Sequence, residues 1–149
     1  EYFTEGIAAL DGLIPPVIRQ GCTHAYYRYP IRLNRSKIQI NSYEFTKVVN
    51  AEGVSFDAGF TPLYMQPLYQ KKIVYGDKGC PFSCSFYGKE ISYSPGLCPI
   101  AERMKDEVIT TETIRPPLTI KDVEEMVEAF RKVLYYCKQL PEIVKGKGE

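Results

Sequence analysis

The 149-residue sequence has no tryptophan, a single histidine and almost no excess of charge of either sign. A formal net charge of +1, with no long basic run, gives no reason to expect nucleic acid as a partner. No apolar run approaches the ~20 residues that a membrane-spanning helix needs. The sequence also lacks the basic and apolar segments of a signal peptide, so we expect a cytoplasmic protein with no membrane partner.

The five cysteines are an odd number, which argues against a complete set of intramolecular disulfides. Reduced thiols in a cytoplasmic protein are the simpler interpretation. The alternative is a zinc site built from Cys80, Cys84 and Cys98. Zinc takes four protein ligands, or three and a water, and these cysteines do not form paired Cys-x-x-Cys motifs. We therefore assign no metal ligand.

The clearest strand pattern covers residues 24–33. Alternation predicts one apolar face and one polar face along this strand. The apolar face comprises Ala25, Tyr27, Tyr29, Ile31 and Leu33, and the polar face comprises His24, Tyr26, Arg28 and Arg32. Pro30 has no N–H to donate, so it indicates an edge position or a bulge.

Hydrophobic spacing and cap residues predict the other elements. They are the end of a helix over 4–13, a helix over 43–51 capped by Ser42, a strand over 54–56, a helical turn near 62–69, a helix over 99–106, a strand over 108–113 and a helix over 120–139 capped by Thr119. Residues 57–98 form a long loop region rich in Gly, Tyr and Cys, and residues 143–149 are expected to be a flexible tail.

This element order predicts an α+β fold, with a small, mainly antiparallel sheet and helices packed on one face. The linkers are too short for several parallel crossovers, and we expect residues 1–149 to form a single domain. Because the sequence begins with Glu1 and its first helix looks cut short, we expect an excised piece of a longer protein.

Few residues carry chemistry. His24, Arg28 and Arg32 could bind an anion and Tyr26 could stack on a base or sugar, but an ordinary exposed strand face explains the same pattern. The carboxylates Glu102, Asp106, Glu107 and Glu112 are better explained by surface solvation than by acid–base catalysis. No Gly-rich phosphate loop is present. The residues alone indicate a binding surface and no reaction.

Four segments match, in order, the pattern of one enzyme family. His24–Arg32 resembles its His-x-Tyr-x-x-Tyr-x-Ile-Arg strand, and Gly53-Val54 followed by Pro62–Tyr69 resembles its Gly-Ile…Pro-Leu-His-x-Gln-Pro-x-Tyr segment. Cys98–Glu102 resembles its Cys-Pro-x-Ala-Glu turn, and Leu118–Val123 resembles the cap of its last helix. Across nearly its whole length, the chain is similar to the C-terminal small domain of the DegT/StrS-type sugar aminotransferases, fold-type-I enzymes dependent on pyridoxal phosphate (PLP).

The resemblance implies transfer of an amino group from glutamate or glutamine to a keto-sugar nucleotide, in the biosynthesis of cell-surface polysaccharide or antibiotic sugars. It implies a homodimeric parent enzyme whose PLP-bearing lysine lies in an N-terminal large domain. No catalytic or cofactor-binding residue is therefore expected in this chain, which should be inactive alone. A non-catalytic module that binds a sugar nucleotide or a partner is the alternative.

The resemblance also suggests the residues that contact substrate. His24 and Tyr26 are the best candidates, with Arg28 beside them on the same predicted strand. Tyr64 stands where many members have His, and Gln66 and Tyr69 follow it; these residues complete the predicted substrate-binding set. Two departures bear on substrate identity. Gly59-Phe60 replaces a frequent His-Tyr pair, and a cysteine-rich insertion covers residues 79–96.

Overall fold

The computed structural model describes residues 1–76, 79–87, 89 and 91–137. The chain divides into two compact units, which are described separately below. The first unit contains Glu1–Gly59 and the chain from Asp106 onward, and the second contains Phe60–Lys105.

The described residues form helices and short strands. In chain order they are α1 (Tyr2–Ala8), β1 (Leu13–Ile14), β2 (Tyr29–Leu33), α2 (Ser42–Ala51), β3 (Asp57–Ala58), a 3-10 turn (Leu63–Met65), α3 (Pro67–Lys71), α4 (Pro99–Glu107), β4 (Val108–Thr111) and α5 (Ile120–Cys137). None of these helices is long and apolar enough to cross a membrane.

The four strands form one open antiparallel sheet in the order β1-β2-β4-β3. β2 and β4 form its centre, with Tyr29 opposite Thr111 and Ile31 opposite Ile109. α1, α2 and α5 pack with the sheet around one apolar core. The predicted α+β fold with a mainly antiparallel sheet is therefore confirmed.

The core of the first unit is rich in aromatic rings. Phe130 of α5 is fully buried and lies 5.0 Å from Phe56, 6.0 Å from Phe45 and 6.4 Å from Phe3, measured between ring centroids. The contacts with Phe56 and Phe3 are edge-on, an arrangement that the ring quadrupoles favour, and the contact with Phe45 is tilted. Phe130 therefore links the N-terminal helix α1, the helix α2 and the segment before β3.

The predicted strand over 24–33 is correct only in its second half, because β2 begins at Tyr29. Tyr26 has a φ of 49°, a left-handed conformation that an extended strand cannot contain. Ala25 and Tyr27, which the alternation assigned to the core, are exposed. β1 pairs only with Arg32 and Leu33 of β2. Pro30 lies beyond the end of β1, so the missing N–H of Pro30 leaves no gap in the β1–β2 hydrogen-bond ladder.

Other elements begin or end a few residues away from their predicted boundaries. The cap of α2 is Asn41, whose side chain accepts the Glu44 N–H while the Glu44 carboxylate accepts the Asn41 N–H. The strand expected at 54–56 lies at 57–58, and β4 stops at Thr111. α5 is described as far as Cys137, so the predicted end of this helix at 139 and the tail over 143–149 lie outside the described residues.

Candidate functional site

Two predicted site residues of the first unit, His24 and Tyr26, belong to a stack of rings that ends in the core. The His24 and Tyr26 ring centroids are 4.4 Å apart, and Tyr26 stacks on Tyr29 at 5.3 Å. Tyr29 in turn meets the edge of Phe3 at 5.1 Å. His24 is exposed at one end of this series and Tyr29 is buried at the other. The core therefore fixes the position of two otherwise surface-lying rings.

Hydrogen bonds hold both ends of the stack. The His24 Nδ1 atom accepts the backbone N–H of Tyr26 at 2.8 Å, so a neutral imidazole in this arrangement carries its proton on Nε2. The Tyr29 hydroxyl is bonded to the Thr4 Oγ1 atom at 2.8 Å, and burial raises the pKa of Tyr29. The left-handed backbone at Tyr26 turns the chain so that its own N–H reaches the His24 ring.

Arg28 is positioned by acidic side chains. Its guanidinium group lies 3.1 Å from the Asp57 carboxylate and 2.6 Å from that of Glu112, and it donates to the Thr110 hydroxyl at 3.1 Å. The hydrogen bond to Asp57 raises the pKa of Arg28, with further support from the Glu112 charge. Arg28 thus joins the loop before β2 to β3 and to the end of β4, and its role as an anion contact stays a prediction.

In the second unit, Tyr64 and Glu102 form the centre of a small hydrogen-bond network. The buried Tyr64 hydroxyl donates to Glu102, which also accepts the N–H groups of Gly96 at 2.8 Å and Cys98 at 3.2 Å. Burial and the hydrogen bond to Glu102 raise the pKa of Tyr64 to about 12. The same hydrogen bond, aided by the two backbone donors, lowers the pKa of Glu102.

Tyr69 lines a groove of the second unit. Its ring packs against Phe82 at 5.8 Å and Tyr93 at 5.4 Å. The Gln70 amide donates to the carbonyl oxygens of Tyr64 and Tyr93 at 2.7 and 2.9 Å, tying α3 to the segment before α4. The groove beside them has a volume of about 560 Å³ and is lined by Tyr69, Gln70, Lys72 and residues 91–95.

The six predicted site residues therefore fall into two groups. His24, Tyr26 and Arg28 belong to the first unit, and Tyr64, Gln66 and Tyr69 belong to the second. Gln66 is exposed and lies between the 3-10 turn and α3. No observation tests a substrate role for any of the six, and all of them stay predictions.

Sequence reasoning missed the part played by Glu102, which was interpreted as a solvated surface carboxylate. The network makes Glu102 the acceptor that holds the turn before α4, where Cys98 precedes the first helical residue Pro99. An acidic side chain in the first turn of a helix that begins with Pro is a local sign of such a capping role. The partner Tyr64, 38 residues earlier, leaves no such local sign.

The described residues contain no group of three or more His, Cys, Asp or Glu side chains placed to hold a metal ion. Cys80 and Cys84 lie close together, with their sulfur atoms 3.0 Å apart, and both are free thiols. Cys98 is exposed and also free.

PLP forms its link to protein through a lysine amine, which the protein must hold in an enclosed site. No lysine within the described ranges is buried. Lys37 pairs with Asp11, and Lys132 pairs with Glu52 at 2.6 Å. The described lysines therefore do not supply the enclosed amine that a link to PLP requires.

Comparison with known proteins identifies relatives of this architecture. The model of the DegT/DnrJ/EryC1/StrS aminotransferase family matches residues 1–111. An uncharacterized protein of Methanocaldococcus jannaschii is 27% identical over 134 residues, which are 90% of this chain and 30% of that protein. The spore coat polysaccharide biosynthesis protein SpsC of Bacillus subtilis is 22% identical over 126 residues, which are 84% of this chain and 28% of that protein.

A solved structure shares the fold. The crystal structure of DesI, determined in the presence of its TDP-sugar product, superposes with a TM-score of 0.65 at 16% identity. The match covers 97% of this chain and 31% of DesI. The chain thus spans less than a third of each of these proteins. Because the family model matches well over half of its residues, the chain belongs to the DegT/DnrJ/EryC1/StrS aminotransferase family.

Proposed function

We propose that this chain is the C-terminal small domain of a PLP-dependent aminotransferase that moves an amino group from glutamate or glutamine to a keto-sugar nucleotide. The family match over residues 1–111 is the observation that carries the proposal. It is supported by the relatives, since SpsC is named for spore coat polysaccharide biosynthesis and DesI was crystallised with a TDP-sugar. The pathway would then make cell-surface polysaccharide or antibiotic sugars.

In this proposal, His24 and Tyr26 contact the sugar nucleotide. The two rings are stacked and anchored through Tyr29 to the core, so they can bind a planar or hydroxyl-bearing group with little loss of side-chain freedom. With Nδ1 occupied by the Tyr26 N–H, the Nε2–H of His24 is the donor that remains for a ligand oxygen. Arg28 supports this segment through its two carboxylate partners.

In the second group of predicted residues, Tyr64 orients the chain, and Gln66 and Tyr69 contact the ligand. Tyr64 has its hydroxyl bonded to Glu102, so it orients the segment that carries Gln66 and Tyr69. The exposed Gln66 amide offers both donors and acceptors for sugar hydroxyl groups. Tyr69 presents its ring to a groove whose volume of about 560 Å³ is that of a small-molecule site.

The reaction itself belongs to a part of the protein outside this chain. The described lysines do not suit PLP, so a preceding large domain would hold the cofactor and its lysine, in a homodimeric parent. When bound there, PLP supplies the electron sink that lets an amino group pass between a donor and a keto group. The small domain contributes substrate contacts and shape.

The test uses the full-length protein, with PLP, glutamate or glutamine, and a panel of keto-sugar nucleotides. We expect amino transfer to at least one member of the panel. His24→Ala should raise the KM for that nucleotide about tenfold, equal to about 1.4 kcal/mol of binding. Tyr27→Ala is the matched control, since Tyr27 is 77% exposed and outside the ring stack, and its KM should stay unchanged.

The outcomes separate two claims. Sugar-nucleotide binding without transfer across the whole panel would overturn the enzymatic function and favour a non-catalytic binding module. Transfer with an unchanged KM in His24→Ala would leave the function in place and overturn the role given to His24.

A further inference from the structure

Cys80 and Cys84 form a close pair of thiols in the second unit. Their sulfur atoms are 3.0 Å apart, and either thiol can donate a hydrogen bond to the other. Cys84 is buried, with 7% of its surface exposed, and Cys80 is partly exposed. The proposed aminotransferase chemistry uses neither residue.

Backbone hydrogen bonds build the loop that brings the two thiols together. The Gly79 carbonyl accepts the N–H groups of Phe82 at 2.8 Å and Ser83 at 2.9 Å, and the Cys84 carbonyl accepts the Tyr87 N–H at 3.0 Å. A β-bridge pairs Cys80 with Tyr75. The short sulfur–sulfur distance thus arises from a defined turn and not from sequence proximity alone.

The side chain between the two cysteines anchors this turn. Phe82 is 8% exposed, and its ring packs against Tyr69 at 5.8 Å and Tyr93 at 5.9 Å. Phe86, four residues further on in the same loop, is 96% exposed. Phe82, which lies between the two cysteines, is therefore the buried phenylalanine of this loop, and Phe86 is the exposed one.

We propose that Cys80 and Cys84 are a reversible dithiol–disulfide pair, a modification site that reacts with low-molecular-weight disulfides such as oxidised glutathione. Closure from 3.0 Å to the ~2.05 Å of a disulfide needs a movement of only about 1 Å. This proposal does not depend on the aminotransferase function.

The exchange proceeds in two displacements. The thiolate of the more exposed Cys80 attacks one sulfur of the small disulfide, whose S–S bond breaks, and one thiolate leaves. The Cys84 thiolate then attacks the Cys80 sulfur of the mixed disulfide, and the second small thiolate leaves. The protein loses two electrons and two protons, and the small disulfide is reduced to two thiols.

The two thiols differ in exposure, so they take different steps: the partly exposed Cys80 meets the small disulfide first, and the buried Cys84 resolves the mixed disulfide. The hydrogen bond from Cys80 lowers the pKa of Cys84, with help from the backbone N–H of Tyr87 and against the effect of burial. The same interaction raises the pKa of Cys80. A lowered pKa increases the fraction of Cys84 thiolate that can attack the mixed disulfide on Cys80.

The test equilibrates the reduced full chain with glutathione buffers of increasing oxidised fraction, alkylates the remaining thiols and maps them by mass spectrometry. We expect an intramolecular Cys80–Cys84 disulfide, seen as the loss of two hydrogen atoms, while the exposed Cys22 and Cys98 report single thiols. The equilibrium constant for formation of this disulfide in native buffer should exceed the constant in urea by about tenfold or more.

Matched variants test the mechanism. Phe82→Ala should reduce the equilibrium constant toward the value in urea, whereas Phe86→Ala should leave it unchanged. Cys84→Ser should trap glutathione on Cys80. The proposal is overturned if the native and urea constants of the wild-type chain are equal, or if Cys80 and Cys84 each carry a separate glutathione.

Discussion

The Tyr64 hydroxyl donates a hydrogen bond to the Glu102 carboxylate across 38 residues of sequence. The bond joins the 3-10 turn to the first turn of α4 and leaves Glu102 able to accept the N–H groups of Gly96 and Cys98. It stabilises a neutral phenol and an ionised carboxylate, so it moves the pKa values of the two residues in opposite directions.

At alkaline pH, we expect the Tyr64 phenol to stay protonated well above pH 10. Its pKa is raised from 10.0 to about 12, so its contribution to stability is fully present below pH 10 and is lost as the pH rises through about 12. Titration of tyrosinate absorbance in the wild type and in Tyr64→Phe gives the difference due to this residue. A difference spectrum that is already complete at pH 10 would contradict the assignment.

At acidic pH, the carboxylate of Glu102 should control the same network. Its pKa is lowered from 4.5, so its contribution is present above pH 4.5 and is lost as the pH falls through the lower folded-state value. Glu102→Gln should therefore be less stable than the wild type at neutral pH, with a gap that closes below pH 4.5. Thermal unfolding across this range measures the gap.

The control for that series is Glu125→Gln, since Glu125 is exposed on α5 and lies 3.8 Å from Lys121. Exposed pairs of this kind contribute little. If the Glu125 variant lost as much stability as the Glu102 variant, with the same pH dependence, the loss of any negative charge would explain the effect. The Tyr64 network would then not be its cause.

Asn41 rather than Ser42 should be the residue that caps α2. Asn41 exchanges two hydrogen bonds of 2.9 Å with Glu44, so Asn41→Ala should lower the free energy of unfolding by about 1 kcal/mol. Asn41→Ser keeps a side-chain oxygen in place and should retain most of that stability. Urea unfolding compares the three proteins, and an Asn41→Ala chain as stable as the wild type would refute the cap.

Phe130 should be among the costliest core residues to truncate. It is fully buried against Phe3, Phe45 and Phe56, so Phe130→Ala should lose about 3–5 kcal/mol through lost contacts and a residual cavity. Val17→Ala, at a residue that is 89% exposed, should change stability by less than about 0.5 kcal/mol. Guanidinium unfolding measures both, and a loss below about 1 kcal/mol at Phe130 contradicts the account.

Elements with a purely local cause could be predicted from the sequence. α5 was predicted because its apolar residues repeat at helical spacing and Thr119 and Asp122 exchange capping hydrogen bonds across one turn. β2 was predicted at twice its length. The alternation continued through Ala25 and Tyr27 by coincidence, and nothing in the pattern shows that Tyr26 adopts a left-handed conformation.

Contacts across long stretches of sequence could not be predicted. The pairing of Arg28 with Asp57 and Glu112 depends on where β3 and β4 lie beside β2, which alternation does not specify. The bond from Tyr64 to Glu102 has the same origin. The turn that joins Cys80 to Cys84 depends on burial of Phe82 in an aromatic group whose members are distant in sequence.

The most direct test of the central proposal is amino transfer with an isotopically labelled amino donor and the keto-sugar nucleotide panel. The full-length protein and the 149-residue chain are assayed side by side, each with PLP added. The account predicts a labelled amino-sugar nucleotide with the full-length protein and none with the chain alone, since none of the lysines that the structure describes is buried in an enclosed site. A labelled product from the chain alone, or none from the full-length protein with any member of the panel, would contradict it.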